Sequence, residues 1–336
     1  MVAVVDVPGM VRLLKTVGVE RFLSELTDYI GEDFARWPQF EKSARAASHS
    51  RAGVIELMPT SDGVLYGFKY VNGHPINTQT GKLTVTAFGV LADVASGYPL
   101  LLSEMTLLTA LRTAATSALA ARHLARADST SMALIGTGAQ AEFQALAFKA
   151  VNGVRRIRYF DIDVHAMDKF AHNLAHSGLV LERATSVADA VDGVDIITTA
   201  TAAKSRAALI TPEMVKPGVH LNAIGGDCPG KTEVAAAVLG RARVFVEYTP
   251  QTLIEGESQQ AAPGLELTEL WEVITNAKPG RRSPSDVTLF DSVGFAVEDF
   301  AALRYVQALL KTGPFGTELA LVPGVADPKD LYSLLG

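Results

Sequence analysis

A single cysteine, Cys228, serves 336 residues. One thiol cannot form an intrachain disulfide, so no oxidising compartment is implied and a reducing cytoplasm is the default expectation. Long apolar runs are missing as well. No stretch approaches the roughly 18–20 uncharged residues that a membrane-spanning helix needs. Met1 to Asp6 lack a basic flank and a cleavage site, so no secretory signal is expected there. An excess of positive charge is also absent. Lys and Arg number 30 against 36 Asp and Glu, a net charge of -6, which speaks against nucleic acid as a partner. None of the seven histidines stands at metal-ligand spacing from another His or Cys, so no metal is expected. No Ser/His/Asp signature of a hydrolase occurs. What is present is a chain that can fold. It is 48% hydrophobic and 20% charged, which argues against disorder. At roughly 100–200 residues per domain, its length predicts two domains.

Residues 6–36 read as helical, with Asp6 as N-cap and Pro8 in the first turn. From 42 to 103 the pattern shortens. Runs at 43–50, 54–58, 64–71, 83–91 and 98–102 are separated by turn residues, which predicts an antiparallel meander. A long Ala- and Leu-rich helix follows at 106–125, with Thr106 as a candidate cap and Arg112 in its middle, among small residues. From 131 strands and helices alternate, which implies a parallel sheet with right-handed crossovers. The strand candidates lie at 132–135, 157–160, 194–198, 220–224, 244–246 and 287–290. A last helix is expected at 296–311.

Met132-Ala-Leu-Ile-Gly-Thr-Gly-Ala-Gln-Ala141 places Gly136-x-Gly138-x-x-Ala141 between a strand and a helix. The first glycine permits the tight turn. The second removes a side chain where pyrophosphate would approach, and Ala141 lets helix and strand pack closely. The helix N-terminus offers free N–H groups to phosphate. Asp161 ends the next strand and can accept both ribose hydroxyls, which favours NAD over NADP; Asp163 is the alternative acid.

A hydride-transfer enzyme for an amino or hydroxy acid also needs cations for a carboxylate, an acid/base and a dry pocket. Arg45 and Lys69 are isolated cations inside strand-like runs. Glu56 interrupts an apolar strand and shares a face with Val54 and Met58 by alternation; such a carboxylate is either buried with a partner or part of a site. Leu221-Asn-Ala-Ile-Gly-Gly-Asp-Cys-Pro-Gly-Lys231 follows a parallel strand, where open α/β sheets bind ligands. Asp227 is the candidate acid/base, with an Asx-turn or helix cap as the alternative reading. Cys228 has no evident local base and reads as structural.

These blocks, with Lys42-Ser-Ala-Arg-Ala46, Phe68-Lys-Tyr-Val-Asn-Gly-His-Pro75, Ala110-Leu-Arg-Thr-Ala-Ala-Thr116, Gly256-Glu-Ser-Gln-Gln260 and Phe290-Asp-Ser-Val-Gly-Phe-Ala296, are similar to the ornithine cyclodeaminase/μ-crystallin family over nearly the whole chain. The Gly-Gly-Asp-Cys-Pro-Gly-Lys-Thr-Glu block points to its cyclodeaminase branch. The resemblance implies an α/β fold: a Rossmann-type NAD domain at 113–312, plus a mixed α+β substrate and dimerisation domain at 1–112, completed by 313–336. It implies a homodimer and a redox-neutral conversion of L-ornithine to L-proline and ammonia. By similarity Arg45, Lys69 and Arg112 hold the substrate carboxylate, Asp227 is the catalytic acid/base, and Glu56 and Val293 lie at the substrate. Thr84, Arg112, Thr113, Gly136, Gly138, Ala139, Gln140, Asp161, Thr201, Ile224, Gly225, Gly226, Asp227, Lys231 and Ser292 would hold NAD. The alternatives are an NAD(P)-dependent amino-acid dehydrogenase or cyclic-imine reductase, a lysine cyclodeaminase, and a non-catalytic NAD(P)-binding protein.

Overall fold

The computed structural model describes residues 1–202, 206–226 and 228–336. Two large sheets organise it. The first has seven strands in the order Thr317–Leu319, Val2–Val5, Pro99–Glu104, Val85–Asp93, Leu65–Gly73, Val54–Ser61, Ala46–His49. Its neighbours are antiparallel except Val2–Val5 beside Pro99–Glu104. The meander is as expected, but the N-terminal strand had no local signal. Four consecutive aliphatic residues show no alternation, and their partners lie about 100 and 315 positions away.

Register explains which side chains reach the interior. Glu56 pairs with Val71 and Met58 with Lys69, so Val54, Glu56, Met58, Lys69 and Val71 project from one face, and all are buried. Helix Ala296–Leu310 covers that face. It does so although it precedes residue 313, where the sequence reading has the chain return to this domain. The opposite face turns Ile55, Leu57, Tyr66 and Phe88 to solvent.

Residues 6–36 are helical as expected, in two helices. Val7–Val17 and Val19–Ala35 meet at Gly18, whose φ of 86° suits glycine and strains other residues. Asp6 caps the first as expected, accepting from the Gly9 N–H at 2.8 Å. The cap assigned to Thr106 is corrected. Helix Thr106–Leu124 has Met105 at its N-cap, and the Glu104 carboxylate accepts from the N–H groups of Thr106, Leu107 and Leu108. The Thr106 hydroxyl instead accepts from the Ala87 N–H of the sheet at 3.0 Å.

The second sheet has eight strands, all parallel, in the order Leu267–Glu269, Arg243–Val246, Thr288–Asp291, His220–Ala223, Ile196–Thr199, Ser131–Ile135, Arg156–Phe160, Val180–Arg183. The order reverses between Ser131–Ile135 and Ile196–Thr199, which opens a crevice at the carboxyl ends of these strands. This is a Rossmann-like sheet, joined to a mixed α+β unit. A small parallel pair, Arg206–Ile210 with Thr232–Val234, stands beside it. Helix Thr106–Leu124 touches both large sheets, and one hydrophobic core runs from Met58 and Leu91 of the first to Phe245 and Phe290 of the second. Among the described residues no helix is long and apolar enough to cross a membrane.

Candidate active site

The glycine loop lies at the crevice. Gly136 has φ 100°, and a Cβ there would stand 2.6 Å from the Ala200 carbonyl, so the turn demands glycine. Around Gly138 the position of a Cβ is open, and Gly138 and Ala139 are exposed ahead of helix Ala141–Asn152. Ala141 is fully buried, as close helix–strand packing requires. Asp161 reaches back to this loop, accepting from the Thr137 N–H at 2.6 Å. Asp163 is engaged otherwise, capping helix Val164–Asn173 through the His165 and Ala166 N–H groups. The open cradle, the free helix N-terminus and the buried Gln140 Oε1, which has no partner within the chain, fit a dinucleotide.

The neighbouring strand ends close the crevice. The Thr201 N–H donates to Glu233 at 2.8 Å, and its hydroxyl donates to the same oxygen. Glu233 is buried, which pushes its carboxyl up, and it fills the space a Gly225 side chain would take. The Ile224 N–H extends the ladder to the Thr199 carbonyl, and Gly226 accepts from Gly256 at 2.7 Å. Lys231 is buried beside Glu233. Asp227, the expected acid/base, lies outside the described residues.

The second group gathers under helix Ala296–Leu310. Lys69 is 1% exposed and donates to Asp299 at 2.8 Å. Arg112 reaches Glu298 at 2.6 Å and Asp299 at 2.9 Å. Arg45 contacts Glu56 at 3.1 Å and Glu255 at 3.6 Å, and donates to the Val293 and Gly294 carbonyls at 2.8 and 2.7 Å. So the structure brings together Arg45, Glu56, Lys69, Arg112 and Val293 from distant segments. Thr113 follows Arg112 on the helix and is the one residue of 108–121 that is not buried. Burial and the Arg112 guanidinium push the Lys69 ammonium down to about 8, against the pull of Asp299. Burial holds the Glu298 carboxyl up at about 8 although Arg112 opposes it. Three cations fixed in a dry environment are suited to a carboxylate.

A cavity of about 370 Å³ separates the end of the first sheet from the 228–231 loop, lined by His49, Ser50, Gly53 and Val54 on one side. Val54 shares its face with Glu56. Thr84 stands at the same sheet end, its carbonyl accepting from the His74 N–H at 2.8 Å. Ser292 is buried and donates to Glu247 at 2.6 Å. Sequence reasoning missed Glu247, Glu255, Glu298 and Asp299. Only Glu247 had a usable signal, as an acid directly after a parallel strand. No group of three or more His, Cys, Asp or Glu among the described residues is arranged for a metal ion.

The profile described as the ornithine cyclodeaminase/mu-crystallin family matches residues 8–313. An ornithine cyclodeaminase of Agrobacterium fabrum is 59% identical over 98% of this chain and 94% of that protein. A lysine cyclodeaminase solved for its recognition of L-lysine, L-ornithine and L-2,4-diaminobutyric acid superposes with a TM-score of 0.88 at 30% identity, covering 98% of both chains. An archaeal alanine dehydrogenase dimer with bound NAD superposes at 0.85 and 28% identity, covering 96% of this chain and 99% of that one.

Proposed function

The chain belongs to the ornithine cyclodeaminase/mu-crystallin family, and from that premise we propose that it is an NAD-dependent cyclodeaminase converting L-ornithine to L-proline and ammonia. The observation that supports this most is the buried trio Arg45, Lys69 and Arg112, in a chain whose likeness to an ornithine cyclodeaminase runs almost end to end. The trio holds the substrate carboxylate and so fixes the direction of the Cα–H bond, chiefly an orientation effect. Asp227 takes a proton from the α-ammonium and manages protons during ammonia loss. Glu56 and Val293 shape the pocket.

NAD, when bound, supplies the hydride acceptor and donor for Cα, so the cycle is redox-neutral. Gly136, Gly138, Ala139 and Gln140 receive its pyrophosphate side, Asp161 its ribose, and Thr84, Arg112, Thr113, Thr201, Ile224–Asp227, Lys231 and Ser292 the remainder. Ring closure needs little from the protein. The substrate's δ-amine attacks within the same molecule, provided the pocket keeps it folded back and dry.

We read the domains as 1–112 with 313–336 for substrate and dimerisation and 113–312 for NAD, with helix Ala296–Leu310 crossing that division to cover the first sheet. The outward apolar face with Ile55, Leu57, Tyr66 and Phe88 supports a homodimer. The cytoplasm suits a chain with one thiol and an internal cofactor. Lysine is the second substrate reading, supported by the likeness to a lysine cyclodeaminase. One methylene is worth only about 1–3 kcal/mol of discrimination.

Catalytic NAD⁺ with excess L-ornithine tests the proposal. Ammonia and proline should exceed the NAD⁺ supplied, with no build-up of NADH. NADH rising in step with product identifies a dehydrogenase instead, and turnover of lysine alone changes the substrate.

A further inference from the structure

Glu247 is fully buried and follows strand Arg243–Val246 directly. Register sets Val246 beside Asp291, so Glu247 comes opposite the 291–294 turn. Its carboxylate takes three donors from that turn. The Ser292 hydroxyl donates to Oε1 at 2.6 Å, the Gly294 N–H to Oε1 at 3.2 Å, and the Val293 N–H to Oε2 at 3.2 Å. The same turn meets both arginines of the site. Its Val293 and Gly294 carbonyls accept from Arg45 at 2.8 and 2.7 Å. A Cβ on Gly294 would stand 2.7 and 3.0 Å from the two terminal nitrogens of Arg112, so the edge of that guanidinium abuts the turn. One carboxylate therefore fixes the turn against which two cations rest.

We propose that Glu247 is a positioning residue for substrate recognition, acting through the 291–294 turn on Arg45 and Arg112. This rests on the reading of those arginines as the holders of the substrate carboxylate. Both its charge and its two-oxygen geometry matter. A glutamine accepts through one oxygen only, and its amide would direct a donor at the Val293 N–H, itself a donor. The turn must then shift, and both arginines shift with it. An Arg moved by even 1 Å loses much of its bidentate fit to a carboxylate.

The test compares E247Q, R45M and the double variant R45M/E247Q in the full-length, NAD-loaded protein. The measurements are KM and kcat for L-ornithine, Kd for NAD⁺ and the melting temperature. E247Q should raise KM by about 10-fold or more, with a smaller change in kcat. The double variant should lose less than the product of the two single losses, because both changes act through Arg45. A multiplicative double variant, or an E247Q loss confined to melting temperature, overturns the proposal. An unchanged KM in R45M instead overturns the reading of the arginines on which it rests. Should E247Q fail to fold, E247D keeps the charge and withdraws it by about one bond. It should shift KM in the same direction, and an unchanged KM contradicts the assignment.

Discussion

The two halves of this site recognise by opposite means. The glycine loop at the parallel sheet offers backbone and empty space: Gly138 and Ala139 are exposed, and nothing stands where a Gly138 side chain would go. The cluster beneath helix Ala296–Leu310 offers side chains, buried and already paired: Lys69 with Asp299, Arg112 with Glu298, Arg45 with Glu56. A backbone cradle serves the phosphates shared by all dinucleotides and depends little on ionisation. A packed charge cluster, in the substrate role proposed for it, ties recognition of one small acid to the stability of the fold. Substitutions at the open positions of the first half, Gly138 and Ala139, should weaken cofactor without unfolding the protein. Those in the second should cost stability and substrate binding together.

The largest effect belongs to neither half. Asp227→Asn should leave NAD binding near normal while turnover falls by about 10²–10⁴-fold, as loss of a general acid/base does. Near-normal turnover removes Asp227 from the mechanism. Lys69→Met comes next and probes the comparison itself. It takes the ammonium from Asp299 and leaves Arg112 at 2.9 Å as that carboxylate's partner, so the stability loss should stay below about 3–5 kcal/mol, the cost of a buried charge left unpaired. Thermal unfolding and ornithine kinetics should both suffer, with the Kd for NAD⁺ within about threefold of wild type. A stable Lys69→Met protein that binds NAD⁺ poorly would break the division between the halves.

Gly138→Val is the converse. The open space around a Cβ leaves the melting temperature unchanged, while the added side chain meets the pyrophosphate and should weaken NAD⁺ by about tenfold or more. Gly136→Ala sharpens the contrast, because its carbonyl clash and positive φ should destabilise the fold. Asp161→Ala should weaken NAD⁺ more modestly and relax discrimination against NADP⁺. Unchanged cofactor preference assigns the ribose to another residue.

The smallest effect is on pH. Lys69, facing Arg112, Arg45 and Asp299, loses its proton near pH 8 instead of 10.5. In the role proposed for Lys69 the charged form holds the substrate carboxylate, so kcat/KM should decline as pH rises through about 8, and Lys69→Arg should remove that limb. The stability change has the opposite sign. Between about pH 8 and 10.5 the unfolded chain binds the extra proton, so this group makes folding more favourable as pH rises.

Much of this contrast was visible in the residues before folding. The cradle is local: two glycines, a strand before and a helix after lie within about ten positions, and the next strand end brings Asp161. Glu56 could be assigned a face by alternation alone. The partners of the cations could not be read, because Lys69 and Asp299 lie 230 positions apart and Arg112 and Glu298 lie 186 apart. Helix Ala296–Leu310 has acids at 298 and 299 that look like first-turn residues serving its dipole. Only the packing of that helix on the antiparallel sheet turns them inward. The break at Gly18 and the strand Val2–Val5 were missed for a related reason: a glycine within a helical pattern and a short aliphatic run are each settled by tertiary contacts.

The account centres on a hydride that leaves Cα of ornithine and returns to the same carbon without leaving the site. L-[2-²H]ornithine, turned over with catalytic unlabelled NAD⁺ in ordinary water, follows that hydrogen directly. Internal return predicts L-proline with deuterium retained at C2 through many turnovers. Proline carrying protium at C2, with deuterium accumulating in free NADH or solvent, would contradict it.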